Sequence, residues 1–134
     1  MEVESVFSPI DIATSGLRAQ SRQMEVISSN VANARTSDAG KGEPYRRLEA
    51  MFKTDGDGIA GVSLDRIATD MSDFYEILDP GNPKADEHGY VKMPNVNLPI
   101  EMMNLNIASR AYQANAAVLK RYQQMVETTL DLLR

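Results

Sequence analysis

Both ends of the chain carry apolar residues at a spacing of seven, and this repeat limits the fold more than any other feature. Two such rows run side by side in residues 100–133. They are Ala111, Val118, Met125, Leu132 and Leu105, Tyr112, Leu119, Val126, Leu133. The mixed row between them is Ala108, Asn115, Tyr122, Thr129. This spacing predicts a long amphipathic helix whose apolar stripe is wider than about 100°. A single partner helix cannot cover a stripe of that width.

The start of the chain predicts a second long helix, over residues 8–34. Ser8 is expected to be its N-cap, and Pro9 occupies the first helical position, where a missing N–H costs nothing. Two rows at a spacing of seven follow, namely Ile10, Leu17, Met24, Val31 and Ala13, Gln20, Ile27, Ala34. Only Gln20 breaks the pattern. A helix of this length spans roughly 40 Å, which is longer than a domain of this size needs.

The middle of the chain changes from helical spacing to alternation and turns. Leu48, Ala50 and Phe52 alternate with more polar neighbours, which predicts a strand with one buried face. The sequence Thr-Asp-Gly-Asp-Gly then predicts a turn, followed by a partner strand within residues 59–69. Residues 74–78 are compatible with a third strand. Four prolines between residues 80 and 99 predict that this last segment is extended or turned.

These patterns predict an α+β fold that is mainly α. The long terminal helices are expected to pair as a coiled-coil-like bundle, with a small β-hairpin or β-rich insertion between them. We divide the chain into an N-terminal helix (1–36), the insertion (37–99) and a C-terminal helix (100–134). Because the insertion is too short to cover a helix of roughly 50 Å, the surplus apolar surface favours contacts with other copies. Periodicity alone leaves open an intramolecular hairpin with no partner.

Charge and composition argue against several classes of function. The net charge is −5, and residues 37–95 account for all of it. The basic stripe that nucleic-acid binding requires is missing, so no nucleic-acid partner is expected. There is no cysteine, which excludes disulfides and thiol nucleophiles. The acidic start and the lack of a long apolar stretch predict neither a cleaved signal peptide nor insertion in a membrane.

The search for a catalytic or metal site finds no candidate. His88 is the single histidine and lies in the polar turn Asp-Glu-His-Gly, where a surface role is expected. Residues 55–58 resemble the start of a calcium-binding loop, but the twelfth position is Arg66 where a bidentate Glu is required. We therefore predict no enzyme activity, no cofactor and no metal.

Three segments carry patterns that periodicity does not explain. Residues 28–34 read Ser-Ser-Asn-Val-Ala-Asn-Ala, residues 79–86 read Asp-Pro-Gly-Asn-Pro-Lys-Ala-Asp, and residues 108–115 read Ala-Ser-Arg-Ala-Tyr-Gln-Ala-Asn. The first and third resemble segments of axial flagellar proteins. The second resembles the segment typical of the C type of proximal rod subunit. The chain thus resembles the bacterial flagellar basal-body rod protein family. The matching residues are Asn30, Ala32, Asn33, Asp79, Pro80, Pro83, Gly89, Tyr90, Pro94, Asn95, Asn97, Ser109, Arg110, Tyr112 and Asn115.

This resemblance implies a structural subunit that assembles with its own copies and with other rod proteins. The product would be a hollow drive shaft that transmits torque and surrounds the export channel. The implied partners also include ring and export-gate components at the rod base and the flagellar type III export machinery. The implied location is the rod in the periplasmic space, reached without a cleaved signal peptide. The alternative is a soluble helical adaptor or export chaperone that acts as a discrete dimer.

The helix repeats and the resemblance together predict an assembly interface. Its expected residues are Ile10, Leu17, Met24, Ile27, Val31, Leu105, Ala111, Tyr112, Ala114, Val118, Leu119, Tyr122, Met125 and Leu132. Two asparagines are assigned separate roles. Asn33, near a helix end, is expected to take the left-handed conformation and to cap carbonyl groups, with a hydrogen bond between subunits as the alternative. Asn115, inside an apolar stripe, is expected to form a hydrogen bond between helices.

Overall fold

In the computed structural model, a small β insertion lies between two long helices in chain order. The structure describes residues 4–134, and their side chains from residue 9 onwards. The elements in chain order are α1 (Glu4–Ala32), β1 (Leu48–Thr54), β2 (Val62–Thr69), β3 (Tyr75–Leu78), β4 (Tyr90–Met93) and α2 (Leu98–Leu132). The predicted fold class is therefore confirmed. The division into three segments at residues 36 and 99 stays a prediction.

The two helices pack against each other in an antiparallel hairpin. Asn30 of α1 bonds to Glu101 of α2, and Gly16 lies against Asn115. These two contacts share one register, because 14 residues back along α1 correspond to 14 residues forward along α2. The helices approach closely at Gly16, where an added Cβ would lie 2.7 Å from Nδ2 of Asn115. Small residues continue this contact surface, since Ala13 and Ala108 are both buried.

The helix starts differ from those predicted. The first helix begins at Glu4, so Pro9 lies inside it and the prediction of Ser8 as N-cap is wrong. The second begins at Leu98, two residues before the predicted start. Asn97 is its N-cap, and the side chain of Asn97 accepts a hydrogen bond from the backbone N–H of Ile100 at 3.2 Å. Pro99 falls in the first turn, which does not need its N–H, so this proline does not prevent the helix.

Strands β1 and β2 form an antiparallel hairpin that packs on α1. Leu48, Ala50 and Phe52 are half-buried while their neighbours Glu49, Met51 and Lys53 are exposed, which confirms the predicted alternation. The register shifts between Met51 and Phe52. On the helix side, the hydroxyl of Ser15 accepts a hydrogen bond from the backbone N–H of Val62 at 3.0 Å. Among the described residues, this hairpin approaches α1 and not α2, since none of its Cα atoms lies within 8 Å of an α2 Cα.

Strands β3 and β4 form a second, separate hairpin. Tyr75 pairs with Met93, and Leu78 pairs with Tyr90. The sequence predicts an extended or turned segment where β4 forms, so this strand differs from the prediction. Pro80 and Pro83 lie in the connection, and Pro94 follows the last strand residue, so none of the prolines interrupts the ladder. Gly89 closes the turn with φ of 83°, a left-handed conformation that favours glycine.

Candidate functional site: the polar joint and the outer stripe

A buried polar cluster joins the two helices to the β insertion. We call Asn30, Tyr45, Arg47, Asn95 and Glu101 the polar joint. Asn30 and Glu101 are each only 1% exposed, and Asn30 Nδ2 donates to Glu101 Oε2 at 3.2 Å. The same amide group donates to the carbonyl oxygen of Leu48 at 2.8 Å, while Asn30 Oδ1 accepts from the Leu48 N–H at 2.9 Å. Asn30 therefore holds both α2 and the first residue of β1.

Arg47 neutralises the buried carboxylate of Glu101. Its Nε donates to Glu101 Oε1 at 2.6 Å, and its outer nitrogen lies 3.6 Å from Asp70 and 3.9 Å from Glu49. Burial disfavours the charged form of Arg47. The hydrogen bond to Glu101 and the charges of Glu101, Glu49 and Asp70 together outweigh this effect, so the pKa of the guanidinium is raised above its ordinary value. An unpaired carboxylate at this depth would cost several kcal/mol, so the pair makes the position of Glu101 tolerable.

The remaining members of the joint fix the loops on either side of Arg47. The hydroxyl of Tyr45 donates to Asn30 Oδ1 at 3.0 Å and lies 3.2 Å from the hydroxyl of Ser29. Asn95 Oδ1 accepts from the backbone N–H of Arg47 at 2.8 Å. Asn95 Nδ2 donates to the carbonyl oxygen of Asp70 at 3.0 Å. The joint thereby connects α1, both sides of the first hairpin, and the segment that leads into α2.

The polar joint brings into contact residues from two of the segments on which the family resemblance rests, although these segments are distant in sequence. Asn30 and Asn95 belong to the predicted motif set, and the joint brings them within one hydrogen-bonded cluster with Tyr45. The sequence analysis gave no role to Arg47 or Glu101. Glu101 reads as an acid in the first turn of a helix, which suits the helix dipole. No spacing in the sequence indicates that Arg47 reaches it.

The two asparagines with separately predicted roles behave differently from those predictions. Asn33 does cap a carbonyl, because its Nδ2 donates to the Ser29 oxygen at 2.9 Å. Its predicted left-handed backbone is wrong, since the described residues include no non-glycine residue with positive φ. Asn115 lies between the helices as expected, with its amide group against Gly16. The structure shows this as a packing contact, so the hydrogen bond predicted for Asn115 stays a prediction.

A row of exposed apolar residues runs along α2 on the side that α1 does not cover. We call this row the outer stripe. It consists of Ile100, Met103, Ile107, Ala114, Val118, Met125 and Leu132, all exposed. Their spacing of three, four or seven residues places them on one helix face. The exposed fraction is 53% at Val118 and 82% at Leu132. Neither β hairpin covers this face, because in the described chain the first hairpin approaches α1 alone and the strands of the second approach neither helix.

The predicted interface residues differ in how far the monomer buries them. Four of them, Ala114, Val118, Met125 and Leu132, belong to the outer stripe. Ile27 is buried in the monomer. Half-buried positions are Ile10, Leu17, Met24, Val31, Leu105, Ala111, Leu119 and Tyr122. Tyr112 is exposed. The repeat did not identify Ala19 and Val26, which are buried on α1, because the packing of the β hairpin on α1 creates a second contact face.

Among the residues that the structure describes, neither helix contains a stretch apolar enough to cross a membrane. Two long terminal helices, a small insertion and an uncovered apolar stripe are typical of a structural subunit that packs against other chains. Comparison with known families agrees with this class. Residues 10–38 match the family described as flagella basal body rod protein, and residues 87–132 match the C-terminal family of the FlgEFG flagellar basal body rod proteins.

Individual relatives identify the group within this class. The chain is 43% identical to the flagellar basal-body rod protein FlgC of Agrobacterium fabrum, with 92% of this chain and 91% of the relative aligned. It is 42% identical to FlgC of Salmonella typhimurium, over 91% of this chain and 93% of the relative. FlgC of Borreliella burgdorferi is 36% identical over 96% and 98%. The chain belongs to the flagellar basal-body rod protein family, and it is a structural subunit of the flagellar rod.

Proposed function

We propose that this subunit occupies the proximal part of the rod and contacts its neighbours through the outer faces of its helices. The observation that carries the proposal is the outer stripe, an apolar surface that no part of the described chain covers. Burying the exposed part of each large side chain in this stripe would contribute roughly 1 kcal/mol. Several such contacts per helix would hold a subunit firmly in an assembly.

The proposed assembly is an open helical tube around the export channel. A contact between two different faces, repeated by a screw rotation, produces a filament and not a closed dimer. The exposed stripe of α2 and the half-buried row of α1 (Ile10, Leu17, Met24, Val31) supply two different faces on each copy. A tube of this kind would act as the drive shaft that transmits torque.

The proposed surroundings follow from membership in the rod family. Rod subunits assemble with other rod and basal-body proteins, and we propose that ring and export-gate components contact this subunit at the rod base. We further propose export by the flagellar type III machinery, without a cleaved signal peptide, and assembly in the periplasmic space. The relatives are structural proteins, and we propose no catalytic activity for this chain. The adaptor or chaperone alternative predicts a discrete dimer in place of polymers.

The test is the substitution Val118→Asp. Val118 is exposed in the monomer, so the variant should fold, but the carboxylate would be buried in the assembled rod. We expect that the variant is absent from purified basal bodies and that the cells are non-motile. Gln113→Asp, also exposed on α2 but outside the outer stripe, is the control and should be incorporated. Motile cells with Val118→Asp present in their rods would contradict the assigned interface.

A further inference from the structure

The β3–β4 hairpin exposes apolar side chains, and its strands lie apart from both helices, although Val91 opposite Ile77 is buried. Among the described residues, none of its strand Cα atoms lies within 8 Å of a Cα of α1, α2 or the first hairpin. Tyr75 and Ile77 are each 50% exposed, and Leu78 and Tyr90 are exposed as well. Two strands of four residues are marginal by themselves. The hairpin therefore has both the surface and the need for a further contact.

The hairpin is held in place at its base and at the connection between its strands. The guanidinium of Arg46 lies 4.1 Å from the centre of the Phe74 ring and donates to the carbonyl oxygen of Ser72 at 3.1 Å. On the other side, Lys84 Nζ donates to Asp38 Oδ2 at 2.5 Å. These contacts fix both ends of the hairpin segment to the loop that follows α1. The exposed face is thus presented in one orientation, which lowers the entropic cost of docking.

The exposed face of β3 is apolar in its centre and acidic at its ends. Alternation places Tyr75 and Ile77 on one face of the strand, and Asp73 and Asp79 continue the same alternation on either side. Residues 73–93 contain five acidic and two basic side chains, a net charge of −3. One of the two lysines, Lys84, is already paired with Asp38. The partner surface should therefore be apolar and basic.

A groove beside the first half of the outer stripe, which shares Met103 and Ile107 with it, has this complementary chemistry. Met102, Met103, Asn106, Ile107 and Arg110 line a shallow groove on α2. Every charged side chain between residues 102 and 126 is basic. Arg110 is exposed and forms no ion pair with another described residue. Methionine side chains adapt to irregular surfaces and make favourable contacts with aromatic rings, which suits Tyr75.

We propose that the β3 face of one copy docks into the Met102–Arg110 groove of a neighbouring copy. Ile77 and Tyr75 would contact Met103 and Ile107, and Asp73 would approach Arg110. The two surfaces are different, so the contact is heterologous and can repeat from copy to copy. This inference rests on the proposed rod assembly, and it specifies which element of the neighbour covers the first half of the outer stripe.

Cysteine cross-linking in basal bodies tests the contact directly, because the native chain contains no cysteine. Two tagged copies are expressed together, one with Ile77→Cys and the other with Ile107→Cys. Mild oxidation should give a cross-linked dimer that carries both tags. The control pair combines Ile77→Cys with Gln123→Cys, which is exposed on α2 far from the Met102–Arg110 groove, and should give none. Rods that contain both copies without the cross-link would overturn this inference but leave the rod assembly standing.

Charge exchange provides a second readout. Arg110→Asp should reduce incorporation into rods, and Asp73→Arg in the same chain should restore it, because both charges are then reversed. Both positions are exposed, so neither change should prevent folding. No rescue by the double variant would overturn the pairing of these residues. A cross-link from Ile77→Cys to a different rod protein would assign the hairpin to that partner and overturn contact between copies. Absence of even the unaltered subunit from basal bodies would instead contradict the rod function itself.

Discussion

Asn30 and Glu101 join the two helices across 71 residues of sequence, with Asn30 Nδ2 and Glu101 Oε2 3.2 Å apart and both side chains 1% exposed. Asn30 bonds at the same time to the backbone of Leu48. Asn30 therefore fixes both the register of the helical hairpin and the position at which β1 begins. The consequences of the joint can be measured on the purified subunit.

Glu101→Ala should lower the free energy of unfolding by about 2–4 kcal/mol, because Arg47 and Asn30 lose their common acceptor. Arg47 is partly exposed and can be hydrated, which keeps the loss below that of a fully buried pair. The measurement is urea unfolding followed by helical circular dichroism. Glu49→Ala is the matched control. Glu49 is an exposed carboxylate 3.9 Å from the same arginine, and its loss should cost at most about 0.5 kcal/mol. Equal effects of the two variants would contradict the role of the joint.

Gly16 and Asn115 should be energetically coupled. An added Cβ at Gly16 would lie 2.7 Å from Nδ2 of Asn115, so Gly16→Ala forces this side chain to move. Alanine is also the better helix former by about 1 kcal/mol. Gly16→Ala should therefore be more favourable by at least about 1 kcal/mol in an Asn115→Ala background than in the native chain. A double-mutant cycle of unfolding free energies measures this difference, and additive effects would show that the helices do not approach closely at Gly16.

An alanine-to-leucine substitution should lower the stability of the fold on one face of α2 and leave it nearly unchanged on the other. Ala108 is 1% exposed against α1, so Ala108→Leu overpacks the helix contact and should cost about 1–3 kcal/mol of unfolding free energy. Ala114 is exposed in the outer stripe, and Ala114→Leu should change the stability by less than about 0.5 kcal/mol. Thermal unfolding of both variants tests the assignment of the two faces. A stable Ala108→Leu variant would place this position outside the helix contact.

Asp38 should titrate at unusually low pH. The hydrogen bond from Lys84, with those from the N–H groups of Gly40 and Gly42, lowers the pKa of the Asp38 carboxyl from 3.8 to about 2. A lowered pKa in the folded state means that the contribution to stability is present above the unfolded pKa. It is lost as the pH falls from about 4 towards 2. Lys84→Met should move the pKa of Asp38 up towards 3.8 in an NMR titration. Lys92→Met, on strand β4, is the control and should leave it unchanged.

Much of the helical part of the fold could be predicted from the sequence. The repeat of seven identified both helices, and alternation at Leu48, Ala50 and Phe52 identified β1, because these patterns depend on local geometry. The predicted start of α2 lies two residues after the observed one, because a proline at residue 99 suggested an extended chain. The first helical turn accepts proline. Strand β4 was missed because the prolines on either side of it predicted an extended or turned segment, whereas they lie outside the paired residues.

The sequence by itself determined that two amphipathic helices exist and that the second has more apolar surface than one partner helix can bury. Only the tertiary structure decided which surfaces are free. The first hairpin packs on α1 and leaves the outer stripe of α2 uncovered, and Arg47 meets Glu101 across 54 residues. The physical reason is that a side-chain period reports the direction of a face relative to its own helix axis. What that face meets depends on how separate elements are placed, and here the polar joint places them.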